Sequence, residues 1–213
     1  MNILILGASS KNSIGYTVGE ELHMADKHSV TYASRTGKLG LKCDVTNPQQ
    51  VKRVLLKIKP DVVILAAGIF TAPQMFGSMR GWSRVAEHLM AKALGPLVLA
   101  NAFKSLKTRR PQYLFVFGGR DVSTELGFAV YTVGNGALWS FVRFLNRHSL
   151  IKAFYIDLPF VRESTMEKQY CRITKSKISD ISIGVNEITK AIQKILDGKV
   201  KRKRVLLGKK GSA

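Results

Sequence analysis

The feature that most constrains this chain is an alternation. From end to end of its 213 residues, short runs rich in β-branched residues are separated by longer stretches whose apolar positions recur at helical spacing. Strands buried on both faces read as near-continuous apolar runs, and parallel neighbours need a crossover of a dozen or more residues between them. The pattern predicts strands at residues 2–7, 29–34, 39–42, 61–66, 112–118, 151–157 and 203–207, and helices at 13–26, 48–58, 79–105, 131–147 and 184–196. An α/β fold follows, with one doubly wound parallel sheet. The Asn47-Pro48 pair marks a helix start, a capping side chain followed by a proline whose missing N–H costs nothing in the first turn.

Composition sets the bounds. A chain of 213 residues that is 46% hydrophobic can bury enough surface to offset its ordering entropy, so it reads as a single domain over 1–213. A basic tail at 199–213 carries seven lysines and arginines and no acid. The whole chain has 34 Lys and Arg against 14 Asp and Glu, a formal charge of +20. Painted on a folded body, that surplus favours anionic partners: nucleic acid, an acidic membrane surface or phosphorylated small molecules. Cys43 and Cys171 are too few and too far apart for a disulfide framework or a metal cluster, so no metal is implied and a reducing compartment is expected. His23, His28, His88 and His148 stand singly and are expected at the surface or at helix ends. The opening apolar run is far shorter than a membrane span, and no targeting pattern surrounds it. A cytoplasmic protein that does not enter a membrane is expected.

The first strand runs into Gly7-Ala8-Ser9-Ser10-Lys11-Asn12-Ser13-Ile14-Gly15. A glycine at the strand end lets the backbone turn sharply, small residues keep side chains out of the way, and free N–H groups at the helix start face an incoming anion. These are the mechanics of dinucleotide binding. The competing reading is an ordinary tight turn between strand and helix.

With these residues in view, the chain resembles the short-chain dehydrogenase/reductases, as a divergent member. Gly7-Ala8-Ser9-Ser10 followed by Ser13-Ile14-Gly15 is similar to that family's glycine-rich turn with two residues inserted, a spacing like that of its enoyl-reductase-like branch. Asp44 and Val45 match the element that holds the adenine, and Ala66-Ala67-Gly68 is similar to the segment beside the adenosine ribose, without its leading Asn. Leu94-Gly95-Pro96 and Asp157-Leu158-Pro159 fall where the family has its Gly-Pro helix segment and its nicotinamide-side loop, and Thr165 matches the threonine that binds the carboxamide. The resemblance implies a Rossmann fold and a nicotinamide dinucleotide. Charge favours NADP(H) over NAD(H): a 2′-hydroxyl is read by an acid after strand two, whereas a 2′-phosphate needs a cation, and here Arg35 stands at that place with Lys38 and Lys11 nearby. Arg35 is equally one surface cation among many.

The reaction centre departs from the pattern. The family uses a Tyr for proton transfer, a Lys four residues later, a Ser thirteen residues earlier and an Asn in the preceding helix. Tyr131 holds the first position, but the lysine position is Asn135, the serine position Gly118 and the asparagine position Lys92. One reading is an exchange, in which Lys92 supplies the cation that favours a phenolate while Asn135 supplies the neutral hydrogen-bonding group. The other is a degenerate site. Arg120, Ser123 and Thr124 are candidates to replace the serine. The resemblance implies an oxidoreductase moving hydride between the nicotinamide and a carbonyl or alcohol. A basic segment at 160–182 suits an anionic small-molecule substrate, and pairing through helices four and five of that family suits a homo-oligomer, with Leu138, Trp139, Phe141, Val142 and Leu145 supplying apolar surface. Those five residues equally suit packing on the sheet. Two alternatives stay open: a catalytically silent dinucleotide-binding sensor or structural subunit, and a nucleic-acid-binding protein that uses the basic tail.

Overall fold

The computed structural model describes residues 1–26, 28–68, 79–106, 112–119, 129–148, 151–174 and 182–208. Its strands and helices alternate as β1 (Asn2–Leu6), α1 (Ile14–Asp26), β2 (Ser29–Ser34), β3 (Leu41–Lys42), α2 (Pro48–Ile58) and β4 (Val62–Leu65). The second half continues with α3 (Met79–Leu89), α4 (Gly95–Ser105), β5 (Tyr113–Gly119), α5 (Ala129–Arg147), β6 (Lys152–Leu158), β7 (Phe160–Val161), α6 (Thr165–Thr174), β8 (Ser182–Ile183), α7 (Val185–Leu196) and β9 (Arg204–Leu206). Seven strands form one sheet in the order β3-β2-β1-β4-β5-β6-β9, every neighbouring pair parallel. The chain lays strands to one side of β1 and then crosses to β4 on the other, which is the doubly wound arrangement that the alternation predicts.

Side chains of β1 show how both faces are filled. Leu4 and Leu6 point into a core with α2, α4 and α5, whereas Ile3 and Ile5 point into a second core with α1 and α7. All four are fully buried, each stabilising the fold by roughly 1.5–3 kcal/mol relative to exposure. Helix starts follow local chemistry. Ser13 caps α1, its carbonyl accepting from the Thr17 N–H at 3.1 Å, and Asn47 Oδ1 accepts from the Gln50 N–H at 3.0 Å ahead of Pro48.

Two departures matter for function. The predicted helix 79–105 is one rod interrupted by a π-turn at Met90–Leu94, where the Gly95 N–H donates to the Met90 carbonyl five residues back. Pro96 explains it: proline has no N–H for the Lys92 carbonyl, and its ring crowds that carbonyl, so the helix opens by one residue there. The basic segment 160–182, where no strand or helix is predicted, contains α6, framed by a small parallel pair of β7 and β8.

Part of the basic tail is built into the sheet. Arg204 of β9 donates to Asp157 Oδ2 through Nη2 at 2.6 Å and Nε at 3.2 Å, and Lys203 Nζ lies 4.3 Å from the Phe154 ring centre. Cations on an edge strand oppose pairing with another chain. Among the described residues, no helix is long and apolar enough to cross a membrane.

Candidate nucleotide cleft and the side chains around Lys92

A cleft of about 470 Å³ opens where β1, β2 and β4 end, at the reversal of strand order. Gly7 forms its floor with φ at +113°, and a Cβ there would lie 2.6 Å from the Ala66 carbonyl carbon and 2.7 Å from Ala67 Cα. Only glycine permits so close a crossing. Ser9, Arg35, Asp44, Val45, Ala67 and Gly68 join it in the wall. Asp44 is held by accepting from the Thr46 N–H at 2.9 Å and the Thr46 hydroxyl at 2.7 Å on one oxygen. Ser10, Lys11, Ser13, Ile14, Gly15 and Ala66 stand outside that wall. Ala66 follows β4, and the other five build the turn and the start of α1, with Lys11 exposed. Cys43 also lines the cleft, but burial, with the Asp44 charge second, pushes its thiol up to about 11, so it is an inert thiol at neutral pH.

Arg35 meets an unforeseen partner. Its Nη1 lies 3.3 Å from Glu87 Oε2 of α3, and Glu87 lines the same cleft.

A second group of side chains gathers at the end of β5. β4 stops at Leu65, opposite Val116, so Phe117 and Gly119 have no β4 partner. Their carbonyls accept from side chains instead: Phe117 from Lys92 Nζ at 2.7 Å, and Gly119 from Asn135 Nδ2 at 2.8 Å. Lys92 is buried, with Cε 3.2 Å from where a Cβ of Gly68 would sit, so its ammonium stands against the cleft wall. Burial pulls its pKa down to about 8. Asn135 Oδ1 is buried and accepts no hydrogen bond among the described residues.

His88 corrects the expectation of surface histidines: it is fully buried, and its ring meets that of Tyr131 edge-on at 4.7 Å. The stripe of Val85, His88 and Lys92 at helical spacing was the available signal. Gly134 of α5 makes the close approach possible, since a Cβ there would lie 3.1 Å from His88 Nε2 and 3.2 Å from Lys92 Cβ. Tyr131 thus faces the helix that carries His88 and Lys92, while Asn135, one turn on along α5, reaches the end of β5.

Gly118 is occupied from the side. The Tyr155 phenol of β6 crosses it, so that a Cβ at Gly118 would coincide with the Tyr155 hydroxyl and Cζ. Nothing in the spacing of β5 announces this. Pro159 follows β6, and Thr165 opens α6 with its side chain outside the described part. Arg120, Ser123 and Thr124 also lie outside the described residues. Of the α5 residues expected to offer apolar surface, Leu138, Phe141, Val142 and Leu145 are buried in the sheet-facing core, and Trp139 packs against it. On α4 and α5 the exposed large apolar side chains among the described residues are Leu97, Val133 and Phe144. No three His, Cys, Asp or Glu residues cluster at ligand spacing among the described residues.

No protein-family profile matches the sequence. No curated protein matches it either. Solved structures do. The fold is similar to that of the protein lin1944 from Listeria innocua, at 18% identity and a TM-score of 0.74, covering 98% of this chain and 100% of that one. It is also similar to serine dehydrogenase in its closed form complexed with NADP+, at 14% identity and a TM-score of 0.74, over 100% of this chain and 98% of that one. An alcohol dehydrogenase from Thermococcus sibiricus complexed with 5-hydroxy-NADP follows at 17% identity and a TM-score of 0.70, with 97% and 96% coverage. A short chain dehydrogenase from Burkholderia cenocepacia in complex with NADP is similar at 15% identity and a TM-score of 0.69, over 97% and 88%. This chain therefore has a Rossmann-type α/β fold similar to that of these dehydrogenases.

Proposed function

We propose that the protein is an NADP(H)-dependent oxidoreductase that moves hydride between the nicotinamide and a carbonyl or alcohol substrate. The observation that carries the reading is the buried Lys92 ammonium at the Gly68 wall of the cleft, in the same structure as a glycine turn that packs on the Ala66–Ala67 backbone too closely for any Cβ. That cradle fits an anionic dinucleotide. The backbone at Gly7 and Ser9 and the N-terminus of α1 would hold the pyrophosphate, Arg35 the 2′-phosphate, Asp44 and Val45 the adenine, and Ala67 and Gly68 the ribose side, with Pro159 and Thr165 assigned to the nicotinamide end. When bound, the nicotinamide supplies the hydride donor or acceptor.

The remaining work belongs to the chain. The Tyr131 hydroxyl gives a proton to the substrate oxygen or takes one from it. An unperturbed tyrosine stays protonated at neutral pH, with a pKa near ~10, so a cation that favours phenolate makes the exchange easier. Lys92, with a pKa of about 8, is mostly charged at pH 7 and takes that role, while Asn135 fixes the end of β5. His88 packs Tyr131 in place. Exposed Arg162, Lys168 and Arg172 around β7 and α6 favour an anionic substrate. A second copy would pair through α4 and α5, over Leu97, Val133 and Phe144.

Fluorescence titration with NADPH and NADH tests the cofactor assignment. NADPH binds more tightly in the wild type, and Arg35→Ala removes the difference; equal affinities in the wild type would sink the preference for NADP(H). Turnover that survives Lys92→Met would remove Lys92 from the mechanism.

A further inference from the structure

We infer that Glu87 sets how strongly the cleft prefers a phosphorylated ribose, by holding Arg35 as a counter-ion that the 2′-phosphate must displace. The inference rests on the dinucleotide reading above and makes it more specific. Arg35 arrives on the turn after β2 and Glu87 on α3, and both side chains line one cleft. Their contact is a single Nη1–Oε2 approach of 3.3 Å between groups that are 56% and 47% exposed. An exposed pair of this kind contributes little to folding. Its consequence is for what enters the cleft.

A phosphate monoester carries close to two negative charges near neutral pH and three strong acceptor oxygens. It competes with Glu87 for the guanidinium fork, and the fork has five donors, one side of which the carboxylate already engages. The phosphate therefore either displaces Glu87 or sits beside a like charge. Both outcomes subtract from what Arg35 alone would contribute. A dinucleotide with a free 2′-hydroxyl meets neither cost, and a carboxylate in this cleft is the group that accepts from such a hydroxyl. Cation and acid together give a muted preference, and Glu87 is the residue that tunes it.

The test is the ratio of NADH to NADPH dissociation constants, measured by titrating each nucleotide into the full chain at fixed ionic strength. Glu87→Gln keeps the size and hydrogen-bonding capacity and removes the charge at an exposed position, so the fold tolerates it. The ratio is expected to rise about fivefold in Glu87→Gln, a difference of ~1 kcal/mol. In an Arg35→Ala background the same substitution moves the ratio by a smaller factor, because the hold on the guanidinium is gone and only the direct effect of the carboxylate on the ribose remains. An unchanged or lowered ratio in Glu87→Gln overturns the inference, as does an equal rise in both backgrounds. A wild type that binds neither nucleotide refutes the dinucleotide reading itself, whereas one that binds both while Glu87→Gln leaves the ratio untouched refutes only the role of Glu87.

Discussion

Adding a single methyl group at Gly118 is predicted to be among the most damaging small changes that the chain can suffer. Gly118 pairs with Asp157 in the sheet, and Tyr155, two residues before Asp157, lies on the same face and throws its phenol across the Gly118 Cα. A Cβ would overlap the hydroxyl and Cζ, and even Cε2 would be only 2.6 Å away. The ring has nowhere to go. It is 2% exposed, Trp139 packs edge-on against it at 5.8 Å, and the Arg204 guanidinium lies 5.6 Å from its centre. Overpacking of this kind costs about 1–3 kcal/mol, and a lost aromatic contact adds roughly 0.5–1.5 kcal/mol. Gly118→Ala should therefore destabilise the protein by about 3 kcal/mol, which lowers Tm by roughly 6–12 °C for a domain of this size. Urea unfolding followed by far-ultraviolet circular dichroism measures it. In a Tyr155→Val background, where the phenol is gone, the cost of Gly118→Ala should fall below ~1 kcal/mol, giving a coupling energy of about 2 kcal/mol. A Gly118→Ala protein within ~0.5 kcal/mol of wild type, or the same cost in both backgrounds, would show that the crossing phenol is not what excludes a side chain. The result also bears on chemistry, because a serine cannot be restored at 118 while Tyr155 stands there.

Burial of Lys92 gives a pH signature. Its pKa is held at about 8 in the fold, against ~10.4 for an unperturbed lysine, so between those values the unfolded chain binds more protons than the folded one. Stability should rise with pH across that window, by up to roughly 3 kcal/mol, and the rise should vanish in Lys92→Met; urea midpoints that run parallel for both proteins from pH 7.5 to 10 would contradict this. Arg204→Ala strips the partner from the buried Asp157 carboxylate and should cost about 3 kcal/mol in the same assay, with Arg204→Lys recovering part of it. For the proposed pairing, sedimentation should find a dimer that Val133→Glu with Phe144→Glu converts to a monomer, and a monomeric wild type removes the pairing.

Local order was legible because its causes are local. Alternating apolar runs, Asn47-Pro48 and Gly7 act through neighbours in the chain, and the strands, caps and cleft floor formed where those residues pointed. Pairings across the sheet were not legible. Tyr155 fills Gly118 from a neighbouring strand, and Glu87 reaches Arg35 across 52 positions, so no spacing within one element could reveal either. His88 lay between these cases: its stripe with Val85 and Lys92 is a helical core pattern, outweighed by the habit of placing histidine at surfaces. The basic tail runs through the strand expected at 203–207, and its Lys203 and Arg204 are committed to packing and pairing within the sheet.

The π-turn at Met90–Leu94 makes reading frame and chemistry interdependent. Each residue of a regular helix turns the next by about 100°. Deleting one residue from this stretch would heal the helix and keep the part carrying His88 in phase with the part carrying Gly95, yet the residues inside the turn would change their places on it. Loss of Met90 or Ala91 would then turn Lys92 away from the end of β5 and leave the Phe117 carbonyl without its donor, while substitutions at those two positions would leave Lys92 in place. Chain length at the irregular turn therefore matters alongside the identity of residue 92 in supplying the Phe117 carbonyl with its donor.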